Sequence, residues 1–226
     1  MQNITFIIPT RNNGEYITDC LNYLSIFYKN CEIIILDDNS TDGTDLFFTS
    51  KNHHFPFKFR YFKNENNERL GHTILYDIGF KNASNDICMI LHADMIPSKN
   101  MVQNMLKHLK ERTVVCATRI EPKGLHPEGP EKILENFGLH PEQFNEDFFE
   151  YCEKLEIENK DKITNGIFAP WMMYKKDFIE LGGHDWLFYP MEFEDSDIFN
   201  RMQLAGYSLV QSRDAFVYHF TCRGSR

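Results

Sequence analysis

The sequence predicts an α/β fold in which a mostly parallel central sheet is flanked by helices. Two observations carry this prediction: short apolar runs end abruptly in polar residues, and segments of helical periodicity separate these runs. The alternation is typical of consecutive βαβ units, and an uninterrupted apolar run is typical of a strand buried on both faces. A chain of 226 residues can bury a sizeable core, so we expect a single domain over residues 1–226.

The first two strands and the helix between them have the clearest patterns. Ile4 to Ile8 is a continuous apolar run that ends at Pro9, which predicts a buried strand. Apolar residues then recur with the spacing of one helix face at 17, 20, 21, 24 and 28. A second apolar run at 33–36 stops at the polar, turn-rich segment 37–43, and a short helix is expected near 43–51.

The same reasoning assigns the rest of the chain in order. Further strands are predicted at 57–62, 87–91, 113–120, 171–174, 208–211 and 215–219, and further helices at 73–81, 98–110, 176–181 and 195–205. Between residues 121 and 162 the alternation gives way to an acidic, aromatic segment, which we interpret as a helical insert.

The bulk composition argues against several classes of partner. Lys and Arg number 24 against 33 Asp and Glu, a net charge of −9 without any basic block. Nucleic acids and anionic membrane surfaces attract positive patches, so we expect neither as a partner. No apolar run approaches the roughly 20 residues of a membrane-spanning helix, and the first residues lack a cationic signal-peptide region. Because six cysteines without a CxxC pair also favour a reducing compartment, we expect a cytoplasmic protein without a transmembrane segment.

Polar residues follow three of the predicted parallel strands. These are the segments Pro9 to Asn12, Asp37–Asp38 and His92 to Asp94. In open α/β sheets, ligands bind at the carboxyl ends of the strands. The sequence therefore predicts a binding site in the first half of the chain.

Asp94 and His219 are candidate metal ligands, since each ends an apolar run. A carboxylate at a strand end can hold a divalent cation that bridges phosphate oxygens, and one imidazole in the ligand set favours Mn²⁺ over Mg²⁺. Each residue also has a structural alternative, a turn or helix cap for Asp94 and an ordinary hydrogen-bonded side chain for His219.

The remaining acidic residues have two interpretations each. Asp38 either accepts a hydrogen bond from a nucleobase N–H or makes an Asx turn with Asp37. Glu194, Asp195 and Asp197 open a predicted helix, where acidic groups stabilise the N-terminus by roughly 0.3–1 kcal/mol. Three acids within four residues also repel one another, so one of them is better explained as a general base.

The segment just before this helix has features of a sugar site. Gly182 and Gly183 permit a close backbone approach to a ligand, because glycine lacks a Cβ and tolerates positive φ. Nearby aromatic residues, Trp171, Trp186 and Tyr189, could stack on a sugar ring, and core packing is the alternative for Trp171.

Taken together, the motifs resemble the inverting, nucleotide-sugar-dependent glycosyltransferases of family 2, which have the GT-A fold. The resemblance covers residues 3 to 219. It is carried by the segments IIPTRNNGEYI at 7–17, LDDNSTDGT at 36–44, LHAD at 91–94, GGHD at 182–185, EDSD at 194–197, and by His219.

The resemblance implies a role for each candidate residue. Contacts to the nucleotide would come from Pro9, Thr10, Arg11, Asp38, His92 and Ala93. The metal, Mn²⁺ or Mg²⁺, would be held by Asp94 and His219, and Asp195 would be the catalytic base. The transferred sugar or the acceptor would lie against Gly183, Asp185, Trp186 and Glu194. The expected donor is a nucleoside-diphosphate sugar, with UDP favoured over GDP, and the acceptor is a glycan or other glycoconjugate. Residues 1–120 would form the nucleotide-binding half and 163–226 the acceptor and catalytic half.

The sequence departs from the family pattern at three places. His92 replaces the first acid of the D-x-D motif, Tyr76–Asp77 stands where many relatives have Arg-Asn, and Trp186 stands at the usual Glu position. A catalytically degenerate nucleotide-sugar or glycan-binding module therefore remains an alternative, as does, less strongly, a nucleotidyltransferase.

Overall fold

Ten strands form one sheet in the computed structural model, which describes residues 3–50, 55–125, 129, 131–190 and 193–221. The strands are β1 (Ile4–Thr10), β2 (Glu32–Asp37), β3 (Lys58–Lys63), β4 (Ile87–Ile90), β5 (Met95–Pro97), β6 (Thr113–Glu121), β7 (Lys132–Leu134), β8 (Ile163–Asn165), β9 (Trp171–Tyr174) and β10 (Ser208–His219). The helices are α1 (Gly14–Phe27), α2 (Thr44–Thr49), α3 (Gly71–Asn82), α4 (Met101–Leu106), α5 (Asp147–Glu158), α6 (Lys175–Leu181) and α7 (Glu194–Leu204). Short 3₁₀ turns lie at Pro141–Gln143 and Trp186–Phe188.

The first half of the sheet has the predicted parallel topology. The strand order is β3-β2-β1-β4-β9-β6-β10-β5, and β3, β2, β1 and β4 are parallel to one another. All seven residues of β1 and all six of β2 are buried, as the uninterrupted apolar runs predict. The carboxyl ends of β1, β2 and β4 therefore meet at one edge of the sheet.

The second half of the sheet is mixed. β9 lies between β4 and β6 and is antiparallel to both, whereas β10 is parallel to β6. Three strands of three residues each, β5, β7 and β8, were not predicted, because so short a segment shows no periodicity. β7 continues the sheet beside β6, and β8 and β5 pair with opposite ends of β10.

The prediction of two separate strands at 208–211 and 215–219 was wrong. β10 is one strand of 12 residues, and its pairing with β6 shifts register between Gln211 and Phe216. Ser212 and Asp214 lie within this irregularity, and the Ser212 hydroxyl donates to the Asp214 carboxylate over 2.6 Å. Buried polar residues at a bulge interrupt the apolar run without ending the strand.

Helices cover both faces of the sheet. One face packs against α1 and α4 through Ile17, Leu21 and Met101, which meet Phe6 and Ile8 of β1. The other face packs against α3, α6 and α7. Its core includes Ile7, Ile34, Phe80, Phe178, Ile198 and Met202. Alternate residues of β1 thus point to opposite helical layers, as the two-residue period of a strand requires.

Among its described residues, the acidic segment 121–162 contains one α-helix, α5, and continues the sheet through β7. Phe148 and Cys152 of α5 pack on Phe216 and Tyr218 of β10, which forms a third, smaller core. Residues 126–128 and 130 of this segment lie outside the described residues. Among the helices of the described ranges, none has the length and apolar character needed to span a membrane.

The buried carboxylate of Glu32, at the start of β2, is bonded to residues of neighbouring segments, and these contacts predict an effect on stability. Glu32 is 2% exposed and accepts hydrogen bonds from the Thr5 hydroxyl at 2.6 Å and the Ser84 backbone N–H at 2.7 Å, and Arg60 lies 2.8 Å away. Burial alone would raise the pKa of Glu32, but the bonds from Thr5, Ser84 and Lys58 lower it to about 2. Since the folded pKa is below the ordinary 4.5, this group stabilises the fold above pH 4.5 and the effect is lost as the pH falls through about 2.

We expect Glu32→Gln to lower the free energy of unfolding at pH 7 by about 1–3 kcal/mol, since buried donors lose a charged partner. Denaturant unfolding at pH 7 and pH 3 measures this free energy. The difference in unfolding free energy between variant and wild type should be smaller at pH 3. Glu65→Gln, at an exposed position, is the matched control. Equal losses in the two variants at pH 7 would contradict the prediction.

Candidate active site

The two acids at the end of β2 have different partners. Asp37 Oδ1 accepts from the Ser40 backbone N–H at 2.8 Å and from its hydroxyl at 2.6 Å, and Asp37 Oδ2 accepts from the Tyr61 hydroxyl at 2.6 Å. The contacts with Ser40 close the loop after β2 in the manner of an Asx-type turn, so Asp37 is the acid of the pair that builds the loop.

Asp38 anchors the next helix. Its side chain is buried, and Oδ1 accepts from the Leu70 backbone N–H at 2.8 Å and from the Asn64 amide at 3.0 Å. Oδ2 accepts from the Gly71 backbone N–H at 3.1 Å. The guanidinium of Arg11 donates to the backbone carbonyl of Asp38. The carboxylate thus binds the first N–H groups of α3, a role the sequence analysis missed; its contact with a nucleobase stays a prediction.

The other predicted nucleotide contacts lie at the same sheet edge. Pro9 and Thr10 end β1 opposite Leu36 and Asp37 of β2. Thr10 is 4% exposed, and its hydroxyl finds no hydrogen-bond partner among the described residues. The N–H of residue 91, which precedes His92 and Ala93, donates to a β1 carbonyl and so holds that segment beside β1. The structure brings these residues together, and their contact with a nucleotide stays a prediction.

Three side chains at this edge could hold a metal ion. His92, Asp94 and His219 each offer a ligand atom, and these atoms lie within 4.8 Å of one another. His219 Nε2 is 3.4 Å from Asp94 Oδ2. The antiparallel pairing of β10 with β5 sets His219 opposite Met95, and this register brings the imidazole to the carboxylate.

Buried charges around His219 fix its orientation and protonation. Its Nδ1 lies 3.0 Å from Glu121, which is 1% exposed and 3.0 Å from Lys132. Burial alone would lower the pKa of His219, but the carboxylates of Asp94 and Glu121 raise it to about 9. Burial alone would raise the pKa of Asp94, but the positive charge of His219 lowers it. A carboxylate that holds the second nitrogen of a ligand imidazole is a common arrangement at protein metal sites.

The donor set fits a divalent ion of the Mn²⁺ type. Asp94 is 8% exposed and supplies a hard oxygen ligand, and the two imidazoles supply borderline nitrogen ligands. Burial, with the neighbouring His72, lowers the pKa of His92 to about 3, so this imidazole is neutral, as a metal ligand must be. His219, whose pKa is raised to about 9, would release its Nε2 proton on binding an ion.

Helix α3 presents a row of side chains to this site. The Tyr76 hydroxyl and His92 Nε2 are joined by a hydrogen bond of 2.8 Å. The ring of His72 stacks on both Tyr76 and His92, with centroid distances of 5.2 and 5.3 Å. His72 Nδ1 lies 3.4 Å from Glu194 on α7. Apart from the His72–Tyr76 stacking within α3, these contacts join residues 16 or more positions apart, so no local pattern of the sequence predicts them.

Asp77 holds the glycine-rich segment 182–186 in place. Its carboxylate accepts from the His184 backbone N–H at 3.0 Å and from the Trp186 indole N–H at 3.4 Å, and it lies 3.1 Å from His184 Nδ1. Asp185 accepts from the Leu187 backbone N–H at 2.9 Å. Beside this segment is a cavity of about 420 Å³, lined by Asp77, Lys81, Gly182, His184, Asp185, Trp186 and Arg201.

The three acids at the start of α7 are not equivalent. Asp197 is paired with Arg201 at 2.8 Å, one helical turn further on. Asp195 Oδ1 is buried and finds no hydrogen-bond partner among the described residues. Burial, and then the negative charge of Glu194, raises the pKa of Asp195. Within the part of the chain that the structure describes, Asp195 thus has a buried acceptor atom without a hydrogen-bond partner.

The acids of α7 and the acid of the candidate metal site affect the pKa of one buried tyrosine hydroxyl. Burial raises the pKa of Tyr76 well above its ordinary value, and the carboxylates of Asp195, Glu194 and Asp94 add to this effect. The candidate base and the candidate metal ligand therefore both lie near enough to Tyr76 to influence its pKa, although they are 101 positions apart in the sequence.

The family profile described as "Glycosyl transferase family 2" matches residues 5–182. The chain therefore belongs to this family. Its fold is the GT-A fold of glycosyltransferases, as the following structures show.

Two solved structures and one curated relative illustrate the similarity. The crystal structure of TarS 1–349 from S. aureus, in complex with UDP-GlcNAc, superposes with a TM-score of 0.67 at 16% identity, over 99% of this chain and 60% of that one. The structure of GalNAc-T7 with UDP, GalNAc and Mn²⁺ superposes with a TM-score of 0.66 at 15% identity, over 97% of this chain and 44% of that one. A Methanococcus voltae protein is 34% identical over 111 residues, 47% of this chain and 34% of its own length; its name is dolichyl N-acetyl-alpha-D-glucosaminyl phosphate 3-beta-D-2,3-diacetamido-2,3-dideoxy-beta-D-glucuronosyltransferase.

The two neighbouring glycines before the site give a matched pair of variants. Gly182 and Gly183 both have positive φ, +94° and +72°, so alanine is strained at either position. A Cβ on Gly183 would also come within 2.8 Å of the Asp77 carboxylate, whereas one on Gly182 meets nothing within 4 Å. We expect Gly183→Ala to lower stability by about 1–3 kcal/mol and to shift the fluorescence of Trp186, because Asp77 must move.

Thermal unfolding and tryptophan emission of both variants test this expectation. Gly182→Ala carries the φ strain alone and should change emission little. If the two variants lose the same stability and keep the same emission, the Asp77 contacts do not hold this segment.

Proposed function

We propose that this chain is a metal-dependent, inverting glycosyltransferase that moves one sugar from a nucleoside-diphosphate sugar to a hydroxyl of an acceptor. The observation that carries the proposal is the buried carboxylate oxygen of Asp195, which has no hydrogen-bond partner among the described residues and whose carboxylate, like that of Asp94, acts on the pKa of Tyr76. Membership of the family and the GT-A fold support it.

Asp195 is the general base of the proposed reaction. Its unused oxygen accepts the proton of the acceptor hydroxyl, and its raised pKa makes it a better base than an ordinary exposed aspartate. The hydroxyl oxygen attacks the anomeric carbon as the bond to the diphosphate breaks, a single displacement that inverts the anomeric configuration.

Asp94 and His219 are the proposed ligands of the ion. A bound Mn²⁺ or Mg²⁺ would neutralise charge on the departing diphosphate, which is the Lewis-acid contribution of a metal. Glu121 fixes the orientation of His219 through Nδ1, which leaves Nε2 directed at Asp94. GalNAc-T7, which has the same fold, was solved with Mn²⁺.

The proposed donor is a UDP-sugar, with a GDP-sugar as the second choice. Two proteins of the same fold were solved with UDP or UDP-GlcNAc. The nucleotide would lie against Pro9, Thr10, Arg11, Asp38 and the segment His92–Ala93, which share one sheet edge. The buried Thr10 hydroxyl has no hydrogen-bond partner among the described residues, and we propose that such a ligand supplies one.

The proposed acceptor is a glycan or glycoconjugate bound beside α7. Glu194 opens this helix, and Gly183, Asp185 and Trp186 lie in the segment packed against it through Arg201, which donates to the Gly183 carbonyl at 2.8 Å. Trp186 is 60% exposed, so its ring face can pack on a sugar. We also propose one domain over residues 1–226, with nucleotide and acceptor halves at 1–120 and 163–226.

We propose a cytoplasmic location on the basis of the cysteines. The five described cysteines are buried free thiols. Burial raises the pKa of Cys31, Cys88 and Cys116 to about 12, so these are inert core residues that suit a reducing compartment.

Asp195→Asn tests the base directly. Asparagine also suits a helix start, so the fold and nucleotide affinity should persist while transfer falls by about 10²–10⁴-fold. The wild-type rate should fall with decreasing pH at a pH above the ordinary aspartate range, since the base must be deprotonated and its pKa is raised. Radiolabelled sugar transfer and isothermal titration with nucleotide measure the two quantities.

Asp197→Asn is the matched control for this experiment. Its carboxylate is committed to Arg201, so this variant should lose some stability and little transfer. Equal loss of transfer in both variants, or lost nucleotide binding in Asp195→Asn, would refute the assignment. A wild-type protein that binds the nucleotide sugar but never turns it over would favour the degenerate binding module.

Asp94→Ala tests the metal. UDP with Mn²⁺ should raise the melting temperature of the wild type more than UDP alone, by mass action, and the variant should lose that increment. Thermal shift with UDP, GDP, CDP and dTDP sugars, with and without Mn²⁺, measures it. A variant with unchanged metal dependence would place the ion elsewhere.

A further inference from the structure

The hydrogen bond between Tyr76 and His92 bears on which atoms bind the ion. The metal-site group contains two imidazoles and one carboxylate, and His92 stands where many relatives have an acid. A neutral imidazole has one N–H and one lone pair, so it can bind an ion only through the nitrogen that carries no hydrogen. The partner of the other nitrogen decides which one this is.

Two contacts restrain the ring of His92. Its Nε2 is 2.8 Å from the Tyr76 hydroxyl, and its ring plane stacks on His72 with an interplanar angle of 26°. These contacts occupy one nitrogen and one ring face. Nδ1 is the remaining polar atom of the ring.

Tyr76 is itself rigidly placed. It is 1% exposed, and its ring packs between His72, nearly parallel at 12°, and Trp171, nearly perpendicular at 84°. It lies on α3, whose first N–H groups are bound by Asp38. A hydroxyl fixed on a helix and against an aromatic core can impose an orientation on the imidazole that it contacts.

We propose that Tyr76 is a positioning residue that accepts the Nε2–H of His92 and thereby presents the Nδ1 lone pair as a third protein ligand of the ion. The site then has two imidazole nitrogens and one carboxylate oxygen, from His92, His219 and Asp94. Imidazole ligands favour Mn²⁺ over Mg²⁺, which prefers oxygen ligands. The combination of His92 and Tyr76 therefore selects Mn²⁺. This inference rests on the metal dependence of the proposed function.

The nitrogen count can be measured directly. Mn²⁺ is added to the whole protein, with and without UDP, and electron spin echo modulation resolves couplings from ligand ¹⁴N nuclei. We expect two coupled imidazole nitrogens in the wild type and one in His92→Asp, which should also bind Mg²⁺ better relative to Mn²⁺ in competition titrations. His140→Gln, at an exposed imidazole outside the group, should keep both couplings.

The role of the hydroxyl is tested by Tyr76→Phe, which keeps the ring and its packing. We expect Mn²⁺ affinity to fall by about 10–100-fold, the usual effect of removing the group that orients a metal ligand. Tyr207→Phe is the matched control, since it also removes one buried tyrosine hydroxyl, which donates to the Asp177 carbonyl at 3.0 Å. This control should leave Mn²⁺ affinity unchanged.

Several results would overturn the inference. They are one nitrogen coupling in the wild type, no Mn²⁺ binding with or without UDP, or unchanged Mn²⁺ affinity in Tyr76→Phe. If His92→Asp does not fold, the wild-type nitrogen count and Tyr76→Phe decide the question. Sugar transfer is measured separately. Two nitrogen couplings without sugar transfer would support the inference and refute the proposed function. Sugar transfer with a single nitrogen coupling would support the proposed function and refute the inference.

Discussion

The arrangement of the site depends on the buried carboxylate of Asp38. By binding the backbone N–H groups of Leu70 and Gly71, it fixes the start of α3 against the end of β2. An anionic group is stable at this place, because the first N–H groups of a helix have no partner within the helix and carry partial positive charge. The direction of α3 then determines where Tyr76 and Asp77 lie.

From that helix, two neighbouring residues organise the two halves of the site. Tyr76 reaches back to His92, at the end of β4, and Asp77 reaches forward to His184 and Trp186. The helix thus joins the sheet edge, where a nucleotide is proposed to bind, to the loop proposed for the sugar. A shift of α3 would move both sets of contacts together, so Asp38 acts on the whole site although it lies at one side of it.

Local sequence patterns predicted which strand ends form the edge of the sheet, but they did not predict the long-range contacts made there by α3, β10 and residues 182–186. β1, β2 and β4 are uninterrupted apolar runs, and their polar ends were predictable because parallel strands share an edge. The contacts of Tyr76 and Asp77 depend on the rotation of α3 and on the path of residues 182–186, which no short segment encodes. β9 was predicted as a strand, but its antiparallel direction depends on the chain path between β6 and β9. The same holds for His219, whose approach to Asp94 needs the pairing of β10 with β5.

The departures from the family pattern are mutually consistent in three dimensions. His92 stands in place of an acid and is bonded to Tyr76, and Trp186 donates to Asp77, so each unusual residue has another as its partner. If the chain had lost its function by neutral drift, the residues that depart from the family pattern would not be expected to contact one another. A binding module would also gain nothing from Asp195, because a buried carboxylate oxygen beside Glu194, without a hydrogen-bond partner among the described residues, costs folding energy. Such a cost is typical of a catalytic group held ready for a substrate, which favours an enzyme over a degenerate relative.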